Sequence, residues 1–321
     1  MNSDVFTSSS LGTYQACPRR YEWAYVLGIR RIRTPDRLGI GSAYHAGIEA
    51  LNLGATVDQA IAKSRNAAPN EIDAERVACM VSGWHWRWRE APAFRRVLAT
   101  EKVFEFKPVK RSRWTCAGKI DVIGELPDGR VAIGEYKTAS EDLSPGSDYW
   151  RRLLIDRQVS LYVLGARSLG YDVDTVVYDA ARLPGLKPRL LTRREGGGNG
   201  ERENMEQYAA RIAESMGEKP DWYFARAEIP RLPRDIEQFR TDLVHVVKSV
   251  RASGRAGVWP RNTDACRRWG ACPYFGPCAD CYDVETSGIP NGYERVTDVH
   301  AELTIGETDD DDHDNSAESA E

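Results

Sequence analysis

Apolar residues recur at helical spacing in the first part of the chain and alternate with polar residues in its middle. Residues 11–26 and 40–54 show the helical pattern, and residues 58–90 predict one or two further helices. Segments rich in β-branched and aromatic residues follow at 101–109, 113–126 and 130–138, with the turn LPDG before the last of them. The pattern predicts helices followed by a meander of three strands.

The second half of the chain alternates between helical and strand patterns. The predicted order is a helix at 150–169, a strand at 174–183, a helix near 203–216, a short strand at 222–229 and a helix at 234–253. The glycine-rich residues 191–203 predict a loop. We therefore expect an α/β fold with a mixed central sheet flanked by helices.

Length and composition indicate the class of protein. With 321 residues, 41% hydrophobic and 29% charged, the chain suits one large globular domain, with or without an elaboration. No apolar run is long enough for a membrane helix, and the first residues lack the pattern of a signal peptide. We expect a cytoplasmic protein that does not interact with membranes.

Seven cysteines are present, and four of them lie between Cys266 and Cys281. Because the cytoplasm keeps thiols reduced, this crowding indicates metal binding rather than disulfides. Cys79 and Cys116 stand alone in the sequence, and we interpret them as small buried apolar residues.

Charge is distributed unevenly along the chain. The net charge is −4, but residues 307–321 contain eight acidic residues and no basic one, so the rest carries 44 basic against 40 acidic residues. This mildly basic body allows DNA binding without requiring it. The acidic tail is predicted to be disordered from about residue 306. A sharper alternative is that it competes with DNA for a basic groove.

The candidate chemistry lies in the strand pair. Asp121 ends the GKID stretch, and Glu135 and Lys137 share one face of the next strand because strand side chains alternate. A hairpin brings Asp121 alongside them, and two converging carboxylates favour Mg²⁺ or Mn²⁺. The lysine could then orient or deprotonate an attacking water and offset charge on phosphate oxygens. Alone, such charges also fit an ordinary solvated strand.

Further residues share their order with one family. The run Leu11, Tyr14, Cys17, Pro18 and Tyr21 resembles the L-x2-Y-x2-C-P-x2-Y opening of RecB-like nucleases in the PD-(D/E)XK superfamily. These include AddB and the CRISPR-adaptation exonucleases. The resemblance implies a bacterial or phage protein with a restriction-endonuclease-like core.

The resemblance also covers residues of the core. The matches are Gly41 and His45 in motif I, Asp121 in motif II, Glu135, Lys137 and Thr138 in motif III, and Gln158 and Tyr162 in a Q-x3-Y helix. It implies that the histidine and the two carboxylates bind one or two Mg²⁺ or Mn²⁺ ions. The lysine would serve the water, and the glutamine and tyrosine would place the DNA strand.

The family further implies a [4Fe-4S] cluster held by one distant N-terminal cysteine and three near the C-terminus. We expect the ligands to be Cys17, Cys266, Cys272 and Cys278, with Cys281 as an alternative. The family pattern ends in C-x2-C-x5-C, whereas this chain has C-x5-C-x5-C-x2-C. Four thiolates could equally hold Zn²⁺. The site is expected to staple the last segment to the first helix.

The predicted organisation follows from these assignments. Residues 1–38 form an N-terminal helix with one cluster cysteine, 39–255 the nuclease core, 256–285 the cysteine segment and 286–321 a tail. The two chain ends together are expected to form a helical iron-sulfur cap beside the core.

The implied function is a metal-dependent DNA nuclease, in particular an exonuclease acting on single-stranded or end-containing DNA in recombination, repair or replication. The chain has no G-x4-G-K-[ST] loop, so no nucleotide cofactor is expected, and unwinding would need a separate helicase or recombination protein. The alternative is an inactive nucleic-acid-binding or assembly protein stapled by iron-sulfur or zinc. Intact Asp121, Glu135 and Lys137 argue against it.

The roles of two sets of residues are each open to two interpretations. Trp84 and Trp88 share a helical face and either pack under a basic rim or stack on exposed bases. A group of early arginines is either solvated or contacts phosphates, and its members are Arg19, Arg20, Arg30, Arg31 and Arg33.

Overall fold

The computed structural model describes residues 4–32, 36–192, 200–267 and 270–303. The strands in chain order are β1 (Asp4–Phe6), β2 (Ile29–Arg31), β3 (Arg96–Phe106), β4 (Trp114–Glu125), β5 (Val131–Ala139), β6 (Val173–Arg182), β7 (Phe224–Pro230) and β8 (Tyr293–Arg295). The main sheet has the order β1-β4-β5-β6-β7, and β3 also pairs with β4. Because β1–β4 and β5–β6 are parallel and the other pairs antiparallel, the sheet is mixed, as predicted.

Helices cover both faces of this sheet. In chain order they are α1 (Ser8–Ala16), α2 (Pro18–Tyr21), α3 (Asp36–Asn52), α4 (Val57–Asn66), α5 (Glu71–Trp88), α6 (Asp148–Leu153), α7 (Arg157–Ser168), α8 (Met205–Glu218), α9 (Pro220–Tyr223), α10 (Pro233–Ala256), α11 (Phe275–Ala279) and α12 (Val284–Ser287). A π-helical turn spans Glu22–Val26, and 3₁₀ turns span Thr263–Cys266 and Ala301–Leu303.

Two apolar clusters hold the layers together. On one face, Ile120 and Ile133 pack with α7 and α10. On the other face, Val122 and Tyr136 pack with α3, α5 and α8. Each fully buried aliphatic side chain contributes roughly 1.5–3 kcal/mol to such a core. The α/β fold with helices on both faces of a mixed sheet is confirmed.

Arg231 is a fully buried cation that ties β7 to the turn before α7. Its guanidinium donates to Ser160 Oγ at 2.8 Å and to the carbonyls of Leu153 at 2.6 Å and Asp156 at 3.0 Å. A buried guanidinium with several acceptors is held rigidly, because breaking any of its hydrogen bonds would leave a buried polar group without a partner. The N-terminus of α7 is thereby fixed against the sheet.

The two ends of the described chain pack together beside the sheet. Strand β2 pairs antiparallel with β8, and Tyr274 donates its hydroxyl to the Ile29 carbonyl at 2.7 Å. Trp23 stacks on Tyr274 with ring centroids 5.6 Å apart. The two chain regions expected to form a cap therefore pack together, through a strand pair and aromatic contacts, and the iron-sulfur character of this cap stays a prediction.

Four predicted elements differ in the structure. The strand expected at 101–109 begins earlier and spans Arg96–Phe106. The helix expected at 11–26 is broken at Cys17, whose φ of −163° is extended, because the residue before a proline is pushed out of the helical region. The helix expected at 150–169 is broken at Asp156, which caps α7 by accepting the N–H groups of Gln158 and Val159. The strand expected at 222–229 begins only at Phe224.

Some expectations fall outside the described residues. They concern Arg33, residues 193–199 of the glycine-rich loop and the acidic tail from residue 304. Within the described ranges, no helix is both long and apolar enough to cross a lipid bilayer.

Candidate active site

Strands β4 and β5 part in the middle of the sheet. Their antiparallel pairing ends at Val122 and Gly134, and beyond that point β5 remains paired with β6. Strand β1 pairs with β4 only at 114–116. The split opens beside Asp121 and Glu135, so both carboxylates lie at a gap between paired strands rather than on a closed ladder.

Asp121 links this gap to helix α3. Its Oδ2 accepts the backbone N–H of Tyr136 at 3.0 Å and lies 3.6 Å from Nδ1 of His45. Burial lowers the pKa of His45, although the charge of Asp121 acts in the opposite direction. A neutral imidazole is the form that binds metal ions, so this geometry suits a histidine ligand.

Glu135 is the most enclosed carboxylate of the site, with 2% of its side chain exposed. Its Oε1 accepts from Gln158 Nε2 at 2.9 Å and from the Lys137 ammonium. Its Oε2 is buried, and no partner for it is found among the described residues. Burial raises the pKa of this carboxyl. A buried carboxylate oxygen without a partner is costly, and a divalent cation would fit it.

Lys137 lies beside Glu135 with about a third of its side chain exposed. Burial acts to lower the pKa of Lys137. The charge of Glu135, followed by those of Tyr178 and Asp121, outweighs burial and holds this pKa well above its ordinary value. The side chain is therefore a cation directed at the same gap.

Helix α7 carries the last two predicted site residues. Gln158 Nε2 also donates to Tyr162 OH at 2.9 Å, one helical turn further on. The Tyr162 ring packs edge-to-face on Phe104 with centroids 5.7 Å apart. The structure thus connects Tyr162, Gln158, Glu135 and Lys137 in one hydrogen-bonded row.

An ion pair that sequence reasoning missed adjoins the site. Lys119, two residues before Asp121, pairs with Glu101 of β3. Glu101 has a φ of +47°, which is rare for a residue with a Cβ. Burial raises its pKa; Lys119 opposes this, and the charges of Asp121 and Glu49 reinforce it. In the sequence, this ion pair is indicated only by the position of Lys119 two residues before Asp121.

Cys79 and Cys116 are buried, as predicted. Burial raises the pKa of Cys79 to about 11 and that of Cys116 to about 12. Both thiols are therefore protonated and unreactive near neutral pH.

The other five cysteines are free thiols in the cap. The Asn262 N–H donates to Cys17 Sγ at 3.4 Å, which brings the cysteine segment against the N-terminal cysteine. Arg261 donates to Cys281 Sγ at 3.6 Å.

The charges of two of these thiols act on a third. Burial raises the pKa of Cys272, a hydrogen bond from the Tyr274 backbone and the charge of Arg20 lower it, and the charges of Cys266 and Cys17 raise it. Within the described residues, however, no three His, Cys, Asp or Glu side chains are grouped so that they could hold a metal ion. This applies both to the cysteines and to the carboxylate site.

The aromatic residues of α5 pack as one of the two interpretations predicts. Arg87 and Arg226 both lie over the Trp88 ring, at 4.4 and 4.0 Å from its centroid. The Trp84 ring meets Tyr136 edge-to-face at 5.8 Å. Stacking of these rings on bases stays a prediction.

Several candidate arginines have partners in the protein. Arg30 lies over Tyr25 and donates to the Val299 carbonyl, and Arg19 pairs with Glu22. These contacts favour a role inside the cap for both, while phosphate contact stays a prediction.

Comparison with known proteins identifies the family. A model of the PD-(D/E)XK nuclease superfamily matches residues 5–279. The chain belongs to this superfamily. The match runs from β1 into the cysteine segment and includes the split between β4 and β5.

Two solved structures resemble this member of the PD-(D/E)XK superfamily. One, named SSO0001, is 13% identical, with 87% of this chain and 88% of that chain covered and a TM-score of 0.37. The other, a candidate exonuclease from Eubacterium rectale, is 11% identical, with 84% and 90% covered and a TM-score of 0.47. A comparison with curated proteins gave no significant match.

Proposed function

We propose that this PD-(D/E)XK protein is a metal-dependent deoxyribonuclease of the RecB/AddB-like kind, acting as an exonuclease on DNA ends. The observation that carries the proposal is the meeting of Asp121, Glu135 and Lys137 where β4 and β5 part, with Glu135 Oε2 buried and unpartnered in the described structure. Two carboxylates and a cation at one gap form a site for phosphodiester hydrolysis.

The donor set supports a divalent cation. Asp121 and Glu135 would hold Mg²⁺ or Mn²⁺ through carboxylate oxygens, with His45 as a further ligand, because these hard ions prefer oxygen. Bound there, the ion would act as a Lewis acid on the phosphate and lower the pKa of a water molecule.

The chain's own residues would supply the rest of the chemistry. Because Glu135 holds Lys137 as an ammonium, we favour orientation of the attacking water and compensation of phosphate charge over proton abstraction by this lysine. Gln158 fixes Glu135 Oε1, and Tyr162 fixes Gln158. These two residues therefore act by positioning the carboxylate.

For the cap, we propose a [4Fe-4S] cluster on Cys17, Cys266, Cys272 and Cys278, with Cys281 as the alternative ligand and Zn²⁺ as the alternative metal. Free thiols and the approach of Asn262 to Cys17 support it. Such a site would staple the first helices to the closing segment and stabilise the fold rather than act in hydrolysis.

We also propose a setting for the reaction. The substrate would be single-stranded or end-containing DNA in recombination, repair or replication. A separate helicase or recombination protein would supply any unwinding, since the sequence has no phosphate-binding loop of its own.

The test is a nuclease assay on end-labelled linear and on circular DNA, each single- and double-stranded, in Mg²⁺, Mn²⁺ or EDTA. We expect linear DNA to be degraded with either metal, circles to resist, and Lys137→Met to be inactive. Lys219→Met, at an exposed lysine on the end of α8, is the matched control and should cleave normally. Cleavage of circles would reject the exonuclease assignment, and binding without cleavage would favour the inactive alternative.

A further inference from the structure

We propose that Glu101 is a positioning residue for the metal site, which holds the ammonium of Lys119 away from Asp121 and keeps that carboxylate available to a cation. The inference rests on the proposed nuclease function and deepens it. Neither residue belongs to the motifs that define the predicted site.

The strand register brings Glu101, Lys119 and Asp121 together. Thr100 pairs with Val122 and Lys102 with Ile120, so Glu101 lies across from Asp121. Lys119 stands two residues before Asp121 on β4, and the charges of both residues act on Glu101 and on His45. In the structure, the Lys119 ammonium pairs with Glu101.

The ion pair is shielded from solvent. The side chains of Lys119 and Glu101 are 17% and 20% exposed, and partly buried pairs are screened much less by salt than surface pairs are. Removing one partner from such a pair leaves the other charge uncompensated, so that pairing with another group of opposite charge becomes favourable. We expect the released Lys119 to pair instead with Asp121, which stands two residues further along β4.

The backbone of Glu101 supports a specific role. A left-handed φ of +47° occurs here inside a strand whose neighbouring residues keep a regular register. Residues with a Cβ adopt this conformation only where the surroundings impose it, and such positions cluster at functional sites. The conformation interrupts the pleat at the single residue opposite Asp121.

The electrostatic influences on Glu101 and His45 agree with this placement. After burial and Lys119, the charge of Asp121 is the next influence on the pKa of Glu101. After burial and Asp121, the charges of Lys137 and Lys119 lower the pKa of His45. Lys119 therefore lies close enough to the ligand set to disturb it when released.

A purely structural role makes a different prediction. If the pair only joined β3 to β4, losing either partner would weaken the fold, and losing both would not restore metal binding. If Glu101 restrains Lys119, removing the lysine should cancel the effect of removing the glutamate. Replacing both by methionine, which is unbranched and apolar, keeps the space filled.

The experiment measures Mn²⁺ binding without DNA, from the electron paramagnetic resonance signal of free Mn²⁺, for Glu101→Met, Lys119→Met and the double variant. We expect Glu101→Met to bind roughly 10–100-fold more weakly, the usual loss when a supporting group is removed. Lys119→Met should bind at least as tightly as the unaltered protein. The double variant should return to within about twofold of it, the usual error of such a cycle.

Glu75→Met is the matched control, because the Glu75 side chain is 17% exposed, close to the 20% of Glu101, and pairs with Arg65 between helices α5 and α4. It should not change Mn²⁺ binding. Unchanged binding in Glu101→Met, or a double variant as weak as Glu101→Met, overturns the inference. If Glu101→Met does not fold, the other two variants decide, since weaker binding in Lys119→Met or in the double variant also overturns it. Mn²⁺ binding by unaltered protein that never cleaves DNA would instead reject the proposed function.

Discussion

The carboxylate of Asp121 accepts the backbone N–H of Tyr136 at 3.0 Å across the gap between β4 and β5. A side chain thus takes the place of a ladder hydrogen bond at the point where the two strands part. The same oxygen lies near His45, so one carboxylate both closes the backbone and faces the candidate metal site.

Asp121→Asn should therefore separate structure from chemistry. Asparagine keeps an oxygen acceptor for the Tyr136 N–H but removes the charge a cation needs, so we expect a normal melting temperature and no cleavage. Asp121→Leu should in addition lose about 1–3 kcal/mol of stability, because the N–H is left unsatisfied. Urea unfolding and the cleavage assay check both, and a fully active Asp121→Asn would remove this residue from the site.

His45→Ala should raise the Mn²⁺ concentration needed for half-maximal cleavage more than it lowers the rate at saturating metal. One missing ligand weakens binding while the carboxylates remain in place. His245→Ala, at an exposed histidine of α10, is the control. Identical metal titrations for His45→Ala and the unaltered protein would show that His45 is not a ligand.

Gln158→Leu should lower the cleavage rate by about tenfold, the effect of losing about 1.4 kcal/mol of positioning energy, because Glu135 Oε1 loses a hydrogen bond of 2.9 Å. Tyr162→Phe should have a smaller effect, since its hydroxyl acts only through Gln158. Rate constants at saturating DNA and metal measure both. A larger loss in Tyr162→Phe than in Gln158→Leu would contradict this order.

Serine at any proposed cluster ligand should bleach the brown colour of a [4Fe-4S] protein and lower its melting temperature. The variants are Cys17→Ser, Cys266→Ser, Cys272→Ser and Cys278→Ser, while Cys281→Ser should do much less. Any soluble fraction should keep some metal-dependent cleavage, because the carboxylate site does not use these thiols. A colourless protein that contains zinc would support the alternative metal. Bleaching by Cys281→Ser but not by Cys266→Ser would replace Cys266 with Cys281 as a ligand.

Thiol titration at pH 8 should separate the buried cysteines from the rest. Cys79 and Cys116 are buried, with pKa values raised to about 11 and about 12, so little thiolate is present at this pH. In metal-free protein we expect five thiols to react quickly with a disulfide reagent and two only after unfolding. Rapid reaction of all seven would show that both apolar clusters open, since Cys116 lies in one and Cys79 in the other.

The sequence was enough for contacts that follow from regular spacing. Glu135 and Lys137 share a face because strand side chains alternate, and Gln158 meets Tyr162 because residues four apart adjoin on a helix. The approach of His45 to Asp121 joins separate layers of the fold, so it could be expected only from the family resemblance.

The remaining features could not be predicted from the sequence, either because they depend on tertiary packing or because the apolar periodicity masked their local sequence signals. Pro18 and Asp156 mark the two helix breaks locally, but the apolar pattern runs through both. Strands β1, β2 and β8 are three residues long, too short for alternation to be recognised. The left-handed backbone of Glu101 has no local signal, because glutamate does not favour it.

The pairing of β2 with β8 also bears on how the protein is made. More than 260 residues separate these partners, so at about 5–20 residues per second the ribosome needs roughly 13–50 seconds to deliver the second strand after the first. During that time β2 has an unpaired edge, and Cys17 lacks its contact with Asn262 until that segment has been synthesised. We expect the cap to be the last part to assemble, and a ribosome that stalls before residue 293 to release a chain prone to aggregation.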